Sequence, residues 1–248
     1  VDPRVWKTTG KKWQDVRTAI NKAKRDGITD VQSTFLESPL EVREQIEDIS
    51  EEWAQLKALP EMKFTLGGVE ELRDPRVRLL YAVDADGRVL GVTSWLPTWR
   101  DGRVVGWTLD FMRHRTDSPN GIMEFLIARM AERLRDEGAA DPERAAEFMS
   151  LSAAPLAGMN PERDNAGEGG APAGEGTQVL QHALQIVADW MEPAYGFHSL
   201  FNFKRKFQPT EAPVYVCYPD PAALPQIGLA VVRAYVPSVT PAEVAGML

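Results

Sequence analysis

Apolar residues recur every three or four positions in several parts of the chain, and this spacing predicts amphipathic helices. One such part is residues 11–26, and Gly27 follows it. Another follows Ser38, where Ser, Pro and Glu stand in the order typical of a helix start. Residues 122–137 and 179–191 complete the set of four predicted helices. The apolar faces of the first three are Trp13, Val16, Ile20 and Ala23; Ile46, Ile49, Trp53, Leu56 and Leu59; and Ile122, Phe125, Leu126, Met130 and Leu134.

Alternation in two segments, and a third segment that follows a second turn, predict three strands in the middle of the chain. Glycine-containing turns at 85–87 and 100–102 separate them, so we expect an antiparallel meander. Shorter segments with the same character are also expected to be extended. The predicted strands are 77–84, 89–97 and 104–112 in the meander, and 28–36, 148–152, 200–207 and 214–218 outside it.

This order of elements predicts an α/β protein with a mixed (α+β) sheet and helices on its faces. A meander that feeds a strand–helix–strand unit is typical of GNAT-like acyltransferases, an inference by fold analogy. We predict a basic connecting helix at 1–30, a GNAT-like catalytic domain at 31–220 and a tail at 221–248. Within that domain, residues 158–176 are rich in Gly and Pro and predict a flexible loop.

Composition narrows the function classes. The 248 residues carry a net charge of −8 and one cysteine, which excludes a disulfide framework or a cysteine-based zinc site within the chain. No apolar run reaches the roughly 20 residues that span a bilayer. Residues 1–30 nevertheless hold eight Lys or Arg against four Asp. A local basic surface for phosphates therefore competes with a simple solvated helix face.

The three histidines lack metal-ligand spacing, and we expect no metal site. An acetyl-CoA enzyme of the GNAT type needs a glycine-rich turn whose backbone N–H groups bind a pyrophosphate. Before the third helix only Gly121 is present, and Pro119 removes one donor. Use of acetyl-CoA is therefore disfavoured.

Charged side chains that stand beside apolar residues are the candidates for catalysis and substrate binding. Asp110 and Arg113 stand at the end of a predicted strand, on opposite faces unless the chain bends there; an edge ion pair is the alternative. Glu124 lies between apolar neighbours on the following helix and calls for a cationic partner, for which Arg113 and Lys204 are the candidates, unless it sits at the helix margin. If residues 201–207 are extended, Lys204 and Lys206 converge on one side and suit the phosphate of RNA or lipid; lysines that discourage edge pairing are the alternative.

Six segments stand in the order found in one known family. They are Gly10-Lys11-Lys12-Trp13-Gln14, Phe64-Thr65-Leu66-Gly67-Gly68, Asp110-Phe111-Met112-Arg113, Asn120-Gly121-Ile122-Met123-Glu124-Phe125-Leu126, Ser150-Leu151-Ser152-Ala153-Ala154-Pro155-Leu156 and Phe203-Lys204-Arg205-Lys206-Phe207-Gln208-Pro209. Together they resemble the C-terminal catalytic domain of the phosphatidylglycerol lysyltransferase (MprF-type) family over most of residues 10–220.

The resemblance implies a reaction and a location. Members move an amino acid from aminoacyl-tRNA to a hydroxyl of phosphatidylglycerol, which masks lipid charge and confers resistance to cationic peptides. Their cytosolic part has two GNAT-like folds joined by a basic helix and follows a membrane-spanning region. The resemblance thus implies an enzyme at the cytoplasmic face of the membrane, with aminoacyl-tRNA, phosphatidylglycerol and an upstream transmembrane region as partners. It implies no cofactor beyond the donor tRNA.

The resemblance also assigns site residues. It implies Asp110, Arg113 and Glu124 as catalytic, with Asp110 taking the proton of the attacking hydroxyl or holding the α-ammonium of the substrate. It implies substrate binding by Lys204, Lys206, Ser152, Lys11 and Lys12. Lysine and alanine both remain candidate amino acids. The alternatives are transfer to diacylglycerol or another lipid alcohol, an acetyl-CoA-dependent GNAT acetyltransferase, and a non-catalytic module that binds tRNA or lipid.

Overall fold

The computed structural model describes residues 1–55, 68–153, 197–212 and 217–223, together with three residues between 226 and 230. The contacts divide the chain into two compact units. One comprises Val1–Ala58, Leu66–Ser152 and Lys204–Thr210, and the other comprises Leu59–Thr65, Ala153–Phe203 and Glu211–Leu248. The predicted loop at 158–176, the helix at 179–191 and most of the strand at 214–218 and of the tail lie outside the described residues.

A five-stranded mixed sheet forms the centre of the first unit. Its strands follow chain order, from β1 to β5. The pairs β1–β2, β2–β3 and β3–β4 are antiparallel, whereas β4 and β5 are parallel. The meander and the strand–helix–strand unit after it are both present, so the predicted GNAT-like mixed sheet is confirmed. The strands are β1 (Thr29–Ser33), β2 (Arg78–Val83), β3 (Val89–Arg100), β4 (Arg103–His114) and β5 (Phe148–Ser150).

Four α-helices are described: α1 (Gln14–Arg25), α2 (Leu40–Gln55), α3 (Ile122–Ala140) and α4 (Phe197–Arg205). The basic helix before the sheet is confirmed as α1, preceded by a 3-10 turn. At its end Gly27 takes a φ of 71°, which glycine adopts without strain. Among the described residues, no helix is long and apolar enough to cross a membrane.

The two faces of the sheet bury different helices. On one face α2 packs with Ile46 and Ile49 in a cluster of buried residues from β2, β3 and β4. On the other face lies α3, whose first turn contacts β3 so closely that a Cβ on Gly91 would lie 2.6 Å from the Met123 methyl group. Helix α1 then packs on α3, with Val16, Ala19 and Ala23 buried. The sheet therefore lies between α2 and the α3–α1 pair.

One predicted element is wrong. The sequence pattern predicts an extended segment at 200–207, but residues 197–205 form α4, and Phe207 is buried just beyond its end. The aromatic alternation over 201–207 suits a strand, yet Leu200, Lys204 and Phe207 also lie three to four residues apart, which is helical spacing. The convergence of Lys204 and Lys206 on one strand face therefore does not occur.

Candidate active site

A β-bulge in β4 decides which way its polar residues face. Met112 pairs with Thr93 and Leu109 pairs with Trp95, so Asp110 and Phe111 together oppose a single residue, Ser94. The Ser94 hydroxyl accepts the Phe111 N–H at 3.0 Å inside this gap. A bulge shifts the alternation of side chains by one position.

Two packing contacts confirm the shift in alternation. Trp107 lies under the guanidinium of Arg78, which also binds Glu137 of α3 at 2.8 Å. Phe111, four residues later, would share that face in a regular strand, but it belongs to the core cluster on the α2 side. Residues 110 and 113, on opposite faces of a regular strand, therefore fall on the same face. This is the bend that the sequence analysis required for Asp110 to act with Arg113.

Arg113 is held by α2. Its side chain is 3% exposed, and its Nη1 donates to the Ser50 carbonyl oxygen at 3.2 Å and to the Ser50 hydroxyl. The guanidinium carbon lies 4.3 Å from the centre of the Trp53 ring and 4.5 Å from that of Phe111. The cation is thus placed between two aromatic faces, a favourable arrangement for a planar guanidinium. Sequence reasoning placed Trp53 on the apolar face of this helix but missed Ser50, a small polar residue among its buried positions.

Glu124 has a cationic partner, as the sequence analysis requires, but the partner that the structure shows is Lys206, which that analysis did not name as one. Its Oε1 accepts from Lys206 Nζ at 2.7 Å. The Glu124 side chain is 14% exposed and the Lys206 side chain 35%, so the carboxylate is the better buried partner. Glu124 lies in the first turn of α3, where the helix dipole favours a carboxylate. The contact ties the start of α3 to the segment that follows α4.

Lys204 is the buried member of the basic cluster. It is 7% exposed, and burial lowers its pKa from 10.5 to about 8. Desolvation disfavours the charged form of an amine, which gives the direction of this shift. Near neutral pH the ammonium form still predominates, and it can donate up to three hydrogen bonds to an anion.

The remaining predicted binding residues lie at element ends. Lys11 and Lys12 are exposed in the 3-10 turn that precedes α1. That turn is held by Trp13, whose ring contacts Trp6 edge-on with 4.8 Å between centres. Ser152 is exposed just beyond β5, with a φ of 65°. The structure thus joins Glu124 to Lys206 and places Asp110 and Arg113 on one face of the sheet. Lys11 and Lys12 are exposed in the turn before α1.

The charged groups above suit ester exchange, in which a carboxylate moves a proton and cations stabilise an oxyanion or a phosphate. As for metals, no group of three metal-ligating side chains is found in the part of the chain that the structure describes.

Comparisons with known proteins agree with this fold and identify the family. A family model described as phosphatidylglycerol lysyltransferase, C-terminal, matches residues 1–218, a range that contains all the predicted site residues. An uncharacterized protein of Corynebacterium glutamicum is 41% identical over 226 residues, which is 91% of this chain and 26% of that protein. The lysylphosphatidylglycerol biosynthesis bifunctional protein LysX of Mycobacterium ulcerans is 26% identical over 234 residues, 94% of this chain and 19% of the relative.

The solved structure of L-PGS from Bacillus licheniformis has the same fold. It superposes with a TM-score of 0.68 at 22% identity, over 95% of this chain and 64% of that one. The chain spans about a quarter or less of the length of these two curated relatives. The resemblance noted from the six sequence segments is confirmed by the family match. The chain belongs to the family of phosphatidylglycerol lysyltransferase C-terminal regions.

Proposed function

We propose that this chain carries the transferase site that moves an amino acid, lysine or alanine, from aminoacyl-tRNA to a hydroxyl of phosphatidylglycerol. The observation that carries the proposal is the family match over residues 1–218. The reaction takes place at the cytoplasmic face of the membrane, where an upstream transmembrane region of the longer protein holds the site near its lipid. The transfer is direct and uses no cofactor.

The chemistry suits the residues present. The donor is an ester, which is already activated, so positioning and charge stabilisation can supply the catalysis. The lipid hydroxyl oxygen attacks the ester carbonyl carbon, and Asp110 accepts the hydroxyl proton. The tetrahedral oxyanion then collapses, the bond to the ribose oxygen breaks, and Asp110 returns the proton to that oxygen. Atoms and charges balance without a further reactant.

Lysines of the same compact unit as Asp110 supply the electrostatic part. Lys204, as a buried ammonium, stabilises the oxyanion or the lipid phosphate more strongly than an exposed lysine would. Glu124 orients Lys206 through their 2.7 Å contact. The exposed Lys11 and Lys12 supply part of the basic surface for tRNA phosphates, an interaction that salt weakens.

The start of α3 supports this reading over an acetyl-CoA enzyme. Gly121 has a φ of 95°, and a Cβ there would lie 3.0 Å from the Ala19 Cβ of α1. Helix α1 thus packs against the turn where a pyrophosphate would have to approach backbone N–H groups. Together with Pro119 in that turn, this packing disfavours acetyl-CoA.

The test is a transfer assay with tRNA carrying radiolabelled lysine or alanine and with phosphatidylglycerol vesicles, followed by lipid extraction. Parallel vesicles with diacylglycerol in place of phosphatidylglycerol separate the two acceptors. Asp110→Ala removes the proposed proton acceptor, and Asp86→Ala, an exposed aspartate in the β2–β3 turn, is the matched control. We expect label in phosphatidylglycerol with wild type and Asp86→Ala, and nearly none with Asp110→Ala.

Each other outcome has a defined meaning. Full activity of Asp110→Ala removes that residue from the mechanism. Label only with a longer form of the protein places part of the site outside this chain. No label from either form contradicts the proposed transfer, and binding of tRNA or vesicles without transfer then identifies a non-catalytic module.

A further inference from the structure

The guanidinium of Arg113 is buried, which is unusual for an arginine that binds a substrate phosphate. At 3% exposure it is withdrawn from solvent, and its Nη1 is already bound to two oxygens of Ser50. Arginine stays protonated in proteins, so the charge cannot be avoided by loss of a proton. Burying it is costly unless the surroundings offer hydrogen-bond acceptors and aromatic faces.

Helix α2 supplies such surroundings from two positions that lie three residues apart. Ser50 offers its carbonyl and hydroxyl oxygens, and Trp53 offers a ring face at 4.3 Å. Phe111 of the bulge provides a second ring face at 4.5 Å. A planar side chain held by two rings and by hydrogen bonds at one nitrogen has little freedom to rotate. Arg113 is therefore better placed to fix other groups than to move towards a ligand.

The backbone of the bulge is the part of β4 that has to be held in place. A bulge interrupts the regular ladder of hydrogen bonds, so the backbone there needs other attachments to keep its shape. On its β3 side the bulge is held by the Ser94 hydroxyl, which accepts the Phe111 N–H. Arg113 follows two residues later and ties the same strand to α2. These two attachments hold the backbone that presents Asp110.

We propose that Ser50 and Trp53 are positioning residues for the transfer reaction, and that Arg113 acts through them to hold the bulge and the Asp110 carboxylate rather than by binding the lipid phosphate. This inference rests on the proposed function. It assigns to α2, a helix without any of the predicted site residues, the role of setting the geometry of the proton acceptor.

The experiment measures kcat and the KM for phosphatidylglycerol vesicles, with urea unfolding, for a set of variants in the full chain. Ser50→Ala removes the hydroxyl, and Ser50→Thr retains it. Trp53→Leu removes one ring face without touching the hydrogen bonds. Glu51→Ala, an exposed neighbour on the same helix, is the matched control.

We expect Ser50→Ala to lower kcat about ten-fold, since a hydrogen bond to a charged group is lost, with the KM for the lipid unchanged. Ser50→Thr should recover most of that kcat, and Trp53→Leu should lower kcat in the same way. Glu51→Ala should behave as wild type. Because Trp53→Leu perturbs Arg113 independently, it keeps the test decisive if Ser50→Ala folds poorly.

Four results would overturn the inference. A raised lipid KM with unchanged kcat would make Arg113 a phosphate ligand. A fall in the free energy of unfolding with wild-type kcat would give Ser50 a structural role alone. Transfer by wild type with unaffected variants would refute the positioning role and leave the proposed function standing, whereas absence of transfer in wild type would overturn both.

Discussion

Replacing the buried Lys204 should make the protein more stable and abolish its transfer activity. Burial lowers the pKa of Lys204 from 10.5 in the unfolded chain to about 8 in the folded one. Since one pKa unit corresponds to about 1.4 kcal/mol, the charged lysine costs the folded state up to about 3 kcal/mol near neutral pH. We expect Lys204→Met, which keeps the unbranched apolar stem, to raise the free energy of unfolding by up to that amount.

The gain should disappear at high pH. Below about pH 8 the lysine is charged in both the folded and the unfolded chain, so the full cost is present. As the pH rises from about 8 towards 10.5, the folded protein loses the proton first. The unfolded chain then binds more protons, and wild-type stability rises towards that of the variant. Urea unfolding at about pH 7 and about pH 10 measures this, with Lys24→Met on the exposed side of α1 as the control.

Three results would refute the reasoning about Lys204. Destabilisation by more than about 1 kcal/mol near neutral pH would mean that the folded protein stabilises the ammonium by more than burial costs it. An equal gain at both pH values would show that the methionine side chain, and not removal of the charge, causes the effect. Unchanged transfer by Lys204→Met would separate the residue from the reaction.

Three further changes test other parts of the fold and site. Asp110→Asn keeps the shape and removes the carboxylate, so the labelled lipid recovered should fall at least about 100-fold while urea unfolding stays close to wild type. A double-mutant cycle of Glu124→Gln and Lys206→Gln on urea unfolding should give a coupling below about 1 kcal/mol, because the lysine is partly exposed; a larger value would contradict this. Gly106→Ala should lower the free energy of unfolding by roughly 1–3 kcal/mol, since its Cβ would lie 2.6 Å from two ring atoms of Phe148. Adding Phe148→Leu should recover part of that loss, and no recovery would place the cause elsewhere.

The meander could be predicted from local sequence because its determinants are local. The segments 77–84, 89–97 and 104–112 are rich in β-branched and aromatic residues, and the structure confirms a strand in each. Between them Gly87 and Gly102 take φ values of 80° and 74°, which glycine adopts without strain. The turn residues and the strand-forming segments between them set the pairing. The meander could therefore be identified without knowledge of any distant contact.

Residues 200–207 show where local patterns fail. Aromatic residues at every second position suit a strand, while Leu200, Lys204 and Phe207 suit a helix equally well. Packing decides between the two, and Phe207 is fully buried just beyond the end of the helix. Intrinsic preference over so short a segment is a weak guide when tertiary contacts compete with it.

From the sequence alone, Asp110 and Arg113 share a face only if the strand bends between them. Spacing alone puts the two residues on opposite faces, and only the bulge opposite Ser94 brings them to one. A bulge depends on how two strands register, which is a property of the pair and not of either sequence. The same holds for Ser50, which contacts the buried Arg113. That arginine lies 63 positions further along the chain.

The basic cluster 204–206 illustrates how a motif can suggest a chemistry through a wrong geometry. If the segment were extended, Lys204 and Lys206 would together form a surface for phosphate. In the structure Lys204 is buried and Lys206 is paired with Glu124, and Arg205 is exposed. A lysine kept charged at a cost in folding free energy is hard to explain by stability, since methionine would fill the same space without that cost. A buried ammonium is suited to stabilise an anion that forms or binds during a reaction, and the proposed transfer to a phospholipid supplies such an anion.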